Sequence, residues 1–107
     1  MIVSTIRMNL SADKRKELVQ TFNPLLKAIR EQEGCLSCRF YGEVGDEDAF
    51  IMIEEWETKR GWDNHVQSRE FAILLGAMSL SKDSTAVELK LLTRAVGLES
   101  LKAVRDN

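Results

Sequence analysis

Histidine, proline and tyrosine each occur once in the 107 residues and cysteine twice, so sites that need several such side chains are out of reach. A zinc centre held by protein alone takes about four nitrogen or sulfur ligands. His65, Cys35 and Cys38 do not supply that set, so no metal is expected. The cysteines form a C-x-x-C, yet a redox pair normally draws on a helix N-terminus to stabilise its thiolate. Here they fall in a stretch that alternates like a strand, where residues three apart point to opposite faces, so the two sulfurs are expected to diverge. An excess of one charge is also missing. Fifteen basic and 17 acidic side chains are interspersed to a net charge of -2, which leaves no face built for nucleic acid or an anionic membrane. No apolar run approaches the roughly 20 residues that span a bilayer. Met1 to Thr5 lack the basic flank and apolar length of a signal peptide, so the expected location is cytoplasmic. No repeat, low-complexity stretch or linker interrupts the chain, and 44% apolar content is enough for one core.

What is present is periodicity. Ile2, Val3, Thr5, Ile6, Met8 and Leu10 mark a first strand over residues 2–10. Ser11 is the expected N-cap of the following helix, with Asp13 in its first turn, although Lys14 leaves the capping box incomplete. Leu18, Phe22, Leu25, Leu26 and Ile29 then form one helical stripe. Pro24 has no N–H for the carbonyl of Gln20, which predicts a kink near Asn23, and Gly34 ends the helix. Residues 35–44 and 49–57 read as a hairpin turning at Gly45 to Asp48. On its second strand Phe50, Met52 and Trp56 share one face and Ile51 and Ile53 the other.

Thr58 and Ser68 are expected to cap two short helices reaching Gln67 and Met78, with inward sets Trp62, His65, Val66 and Phe71, Leu74, Leu75, Met78. Lys82 to Ser84 form a loop, Thr85 to Thr93 a last strand, and Val96 to Val104 one or two helical turns too short to stand without packing. The order β-α-β-β-α-β, with its second helix split, is that of an α+β ferredoxin-like domain with a four-stranded antiparallel sheet. Residues 1–93 make up the domain and 94–107 an extension. Helices on one side of the sheet leave its other apolar side bare. A second copy packed face to face would bury it, predicting a homodimer closed into a small α/β barrel.

The segment Gly34-Cys35-Leu36-Ser37-Cys38-Arg39-Phe40-Tyr41, followed by Phe50 to Glu57 ending in Glu54-Glu55-Trp56-Glu57, resembles the antibiotic biosynthesis monooxygenase (ABM) family, its quinol-monooxygenase-like branch in particular. Trp62, His65, Ser68, Phe71, Leu74 and Leu75 extend the likeness, and Pro24 sits where many members carry a proline. The resemblance covers roughly residues 1–92. It implies a dimeric α+β barrel that binds flat hydrophobic, often aromatic molecules. Several members oxidise quinols or anthrones with dioxygen and no metal or flavin, while others cleave haem or rearrange small carbonyl compounds. Haem-cleaving relatives hold iron with a histidine where this chain has Leu75, and carry a tryptophan near the place of His65, so haem degradation is disfavoured.

Cofactor-free oxygenation needs a base working near neutral pH, an apolar pocket and a few hydrogen-bond donors. His65 is the one side chain whose ordinary titration suits the base, and its helical phase sets it inward beside Trp62 and Val66; the alternative is a hydrogen-bonded core histidine. Trp56 is either an aromatic wall or core. Asn64 and Arg39 are candidate donors, but Asn64 can equally face solvent and Arg39 pair with Glu54 or Glu55. Tyr41 is a pocket phenol or a dimer contact, and Met52, Phe71 and Met78 are wall or core. The expected function is oxidation of a small aromatic or quinol-type substrate with dioxygen, without a cofactor. A non-catalytic module that sequesters a hydrophobic metabolite and an isomerase or lyase of a small carbonyl compound are the alternatives.

Overall fold

Burial alternates along the first strand, β1 (Ile2–Asn9): Ile2, Ser4, Ile6 and Met8 are buried while Arg7 is exposed. This is the mark of a strand with helices over one face. The computed structural model describes residues 1–79, 86–91 and 97–106, leaving out the side chains of 12, 15 and 86–91. β1 pairs antiparallel with β3 (Asp46–Trp56) on one side and β4 (Ala86–Leu91) on the other, and β2 (Cys35–Glu43) pairs with β3. The sheet order is β2-β3-β1-β4. With α1 (Arg15–Arg30) between β1 and β2, and α2 (Lys59–Val66) and α3 (Arg69–Met78) between β3 and β4, this is the ferredoxin-like α+β arrangement. A further helix, α4 (Leu98–Arg105), exposes Leu98, Leu101 and Val104. No helix among the described residues is long and apolar enough to cross a membrane.

Register decides which side chains meet. Opposite Ile6 and Met8 stand Met52 and Phe50, and opposite Ser4 stands Glu54. These even-numbered positions face the helices, where Phe22, Leu25, Leu26, Ile29, Trp62, Phe71 and Leu74 close the core over them. On the far face Val3, Thr5, Ile51 and Ile53 are half-buried, and Arg39 and Tyr41 are exposed.

Several local features differ from the sequence expectation. Ser11 does not cap α1 with its side chain; a 3-10 turn (Ala12–Lys14) leads in, with the Lys14 N–H donating to the Ser11 carbonyl at 3.0 Å. A lysine at the position that would close the box gives Ser11 no reciprocal partner. α1 does pass through Pro24 as one element, as expected. The hairpin loop is shorter than expected, because Gly45 at φ +92° turns the chain and β3 already begins at Asp46. Val66 and Leu75 are exposed rather than inward, each lying about 100° around its helix from His65 or Leu74. The expected loop at 82–84, and positions 85, 92 and 93 of the expected last strand, lie outside the described residues.

The largest departure concerns the cysteines. A bulge at Leu36 lets Cys35 pair with Trp56 and Ser37 with Glu55, so Cys38 comes opposite Glu54. One extra residue restores the parity that a regular strand would have broken. Cys35 and Cys38 therefore share the helix-covered face instead of diverging.

Candidate active site

Glu54 occupies the apolar face of β3 between Met52 and Trp56 and is fully buried. A carboxylate there demands partners, since desolvating it unpaired would cost several kcal/mol. Two are in place. The Trp56 Nε1–H donates to Glu54 Oε2 at 2.9 Å, and His65 Nε2 lies 2.9 Å from Oε2 and 3.2 Å from Oε1. His65 is 1% exposed. It comes from α2, whose start is set by Thr58 Oγ1 accepting the Gly61 N–H at 3.1 Å.

Aromatic rings enclose the imidazole. Trp56 stacks on it with centroids 4.6 Å apart and 26° between planes, Phe71 meets it edge-on at 5.2 Å, and Trp62 is tilted against it at 5.6 Å. Phe71 is held by Ser68, the N-cap of α3, whose Oγ accepts the Phe71 N–H at 3.2 Å and donates to the His65 carbonyl at 2.6 Å.

The other ring nitrogen meets the turn after α1. Gln32 Oε1 is 2.6 Å from His65 Nδ1, and its Nε2 donates to Glu70 Oε2 at 3.1 Å and Ser68 Oγ at 3.2 Å. Backbone packing makes this reach short. Gly34 turns at φ +85°, and a Cβ there would stand 3.6 Å from the Cα of Gly61, so the turn after α1 lies against α2. Both nitrogens of His65 are thus engaged.

A cavity of about 230 Å³ is lined by Gln32, Glu33, Gly61, Asn64, His65 and Ser68. A second, of about 300 Å³, shares Glu33, Gly61 and Asn64 with it and extends to Glu57 and Arg60. A more apolar cleft of about 370 Å³ opens between α1 and α3, lined among others by Leu10, Leu18, Ile73 and Ala77.

Of the residues singled out in the sequence, the structure brings His65, Trp56 and Phe71 into one cluster. Asn64 is exposed and borders both polar cavities. Met52 is fully buried in the core, and Met78 packs half-buried against that core from the end of α3. Arg39 and Tyr41 project from the opposite face of the sheet to His65; Arg39 stands opposite Ile53, while Glu54 turns the other way. Sequence reasoning passed over Glu54, Gln32 and Glu70. Glu54 carried a usable signal: its parity matches Phe50, Met52 and Trp56, so it had to be a buried acid in need of a partner. Gln32 and Glu70 carried none. One buried polar atom, the Ser4 hydroxyl across the sheet from Glu54, has no hydrogen-bond partner among the described residues.

Beside this cluster both thiols are held protonated. Burial, followed by the Glu54 carboxylate, pushes Cys38 from 9.0 up to about 12, while the Arg30 guanidinium, which donates to the Cys38 carbonyl at 2.8 Å, opposes the rise. Cys35 is raised for the same leading reasons. Native protein at about pH 8 is therefore expected to resist iodoacetamide at Cys38, reacting there only after unfolding, as peptide mass spectrometry would show. An unfolded chain ionises this thiol first, so stability is full below about pH 9 and falls as pH rises toward about 12. Urea unfolding midpoints compared at about pH 8 and pH 10 check this, and Cys38→Ala removes that part of the slope.

Comparison with known proteins bears on this arrangement. A model of the family described as "Antibiotic biosynthesis monooxygenase" matches residues 1–73. The chain is 26% identical over 70 residues to an uncharacterized protein of Synechocystis, covering 65% of this chain and 48% of that protein, so it spans about half that relative's length. It is 27% identical over 71 residues to "Putative monooxygenase YcnE" of Bacillus subtilis, covering 66% of this chain and 75% of that one. Among solved structures, a conserved protein from Methanosarcina mazei Go1 superposes with a TM-score of 0.76 at 21% identity, over 83% of this chain and 89% of that chain, a likeness of fold. Since the family model takes in every element from β1 into α3, including Gln32, Glu54, Trp56, His65 and Ser68, the chain belongs to the antibiotic biosynthesis monooxygenase family.

Proposed function

We propose that this protein oxidises a small aromatic or quinol-type substrate with dioxygen, without a metal or flavin, using the His65–Glu54 pair as its base. The observation that carries the reading is a hydrogen-bonded imidazole and carboxyl group buried together among Trp56, Trp62 and Phe71. A phenolic or enolic hydroxyl must first lose its proton so that the electron-rich anion can pass an electron to dioxygen. Water must also be kept from the radical pair, and the apolar surroundings here are the rings of Trp56, Trp62 and Phe71 packed around His65 rather than the cavity lining itself. Glu54 at Nε2 orients and stabilises the imidazole, as carboxylates do in hydrolytic triads, which leaves Nδ1 to take the proton. The radical pair joins at the activated ring carbon, one oxygen atom stays there as a carbonyl, and the other departs as water; the substrate supplies every electron. The cavity at His65, about 230 Å³, favours a compact ring over a large polycycle.

Oxygen uptake by purified protein with a panel of quinols and anthrones under air tests this, with isotopically labelled dioxygen traced into the product. No uptake above buffer overturns it. A second reading is supported by the hydrogen bonds at both nitrogens of His65: a non-catalytic module that holds a hydrophobic metabolite, which native mass spectrometry would find retained without turnover. Turnover that persists without oxygen would instead support an isomerase or lyase.

The same reading includes a homodimer closed through the far face of the sheet, where Val3, Thr5, Ile51 and Ile53 are half-buried in a single chain. Wild type is expected to sediment as a dimer at micromolar concentration and Ile53→Arg as a monomer, because the new charge would be desolvated between two sheets. A monomeric wild type overturns the dimer.

A further inference from the structure

The orientation of one amide decides where the proton on His65 sits. At its far end Gln32 meets Glu70 Oε2 at 3.1 Å and Ser68 Oγ at 3.2 Å. An ionised carboxylate only accepts, and the Ser68 hydroxyl has already given its proton to the His65 carbonyl at 2.6 Å. Both neighbours therefore require the NH2 group of Gln32, and its Oε1 is left facing His65 at 2.6 Å. An oxygen at that distance from Nδ1 is stable only if Nδ1 carries hydrogen. Nε2 and Glu54 then share a single proton, and the pair is neutral as a whole.

In that state His65 has no lone pair on the side of the cavity. Gln32 borders that cavity and Glu54 does not, so Nδ1 is the nitrogen turned toward it. We propose that Gln32 is a latch on the candidate base, held by the half-buried Glu70. While latched, His65 is a proton donor at Nδ1. When the amide withdraws, or turns over and then swings aside, Nδ1 gives its proton to solvent, Nε2–H stays with the Glu54 carboxylate, and the pair becomes a base carrying one negative charge. A substrate hydroxyl in the cavity would return that proton to Nδ1 and leave as the anion, so charge and protons balance. Gln32 and Glu70 are positioning residues, since they act through His65. The tautomer stands apart from the oxygenase reading, and only its catalytic consequence rests on that reading. A latched fraction lowers apparent activity in proportion to the population it removes.

Nitrogen-15 NMR of the His65 ring tests the assignment without any ligand. Wild type is expected to show a protonated Nδ1. Gln32→Met, of similar length but with only a weak thioether acceptor, should shift that resonance toward the unprotonated range. Glu70→Lys, which presents a donor to the amide and so favours its reversal, should do the same. A wild-type spectrum with bare Nδ1, or both variants matching a protonated wild type, overturns the latch, and the wild-type spectrum decides even if a variant does not fold. Oxygen uptake provides the second readout. Release of the latch should raise kcat/KM with a quinol by about 5-fold or more, the low end of usual coupling between sites. NMR shifts as expected with unchanged turnover overturn the catalytic role and leave the tautomer standing. Absence of turnover in every form, with those shifts present, overturns the oxygenase reading instead.

Discussion

Glu54→Ala is expected to lower stability by about 3–5 kcal/mol in urea unfolding, the usual cost of leaving half of a buried ion pair behind. The loss has three sources in the structure. His65 would keep Nε2 facing an empty, dry space, the Trp56 N–H would lose the acceptor it has in Glu54, and the removed side chain would leave a cavity under α2. A companion experiment separates them. If the ion pair dominates, Glu54→Leu combined with His65→Leu should be less destabilised than the two single changes added together, because neither leaves an uncompensated polar group. Additive losses would mean that the pair contributes nothing beyond packing.

His65→Gln is expected to cut oxygen uptake with a responsive quinol by about 10²–10⁴-fold, the range over which a positioned base accelerates proton transfer. Glutamine can still donate an N–H to Glu54, so the substitution removes the titrating ring while keeping a partner for the carboxylate. Stability should fall by less than in Glu54→Ala and circular dichroism should stay near wild type, with KM changing less than kcat. Equal uptake by variant and wild type would take His65 out of the mechanism while leaving its structural role intact. Comparing this variant with Glu54→Ala distinguishes lost chemistry from lost fold.

The secondary structure was largely legible in the chain. Alternation in residues 2–10 and in the hairpin, the stripe from Leu18 to Ile29, and the caps Thr58 and Ser68 all correspond to observed elements. The hairpin strands were placed, but their loop was drawn too long because three acidic residues after Gly45 look like turn residues and are in fact the start of β3. The C-x-x-C was misjudged for a related reason. A bulge is a property of how two strands meet, and nothing in Cys35 to Cys38 alone announces that Leu36 will be left out of the ladder.

The candidate site divides along the same line. Amphipathic periodicity was enough to turn His65, Trp56, Phe71 and Trp62 toward one interior, because a side chain's face follows from its position in its own element. The parity of Glu54 with Phe50, Met52 and Trp56 held the same information but went unread, since the acid was considered only as a partner for Arg39. Which partner it would find, and that Gln32 from the turn after α1 would reach the opposite side of the same ring, depended on α1, β3 and α2 converging. Hydrogen bonds between residues 11 and 33 positions apart are set by packing, as in the contact of the Gly34 turn with Gly61, and local pattern holds no record of them. Periodicity thus determined the layers and their faces; only the assembled fold decided which polar groups would share a proton inside them.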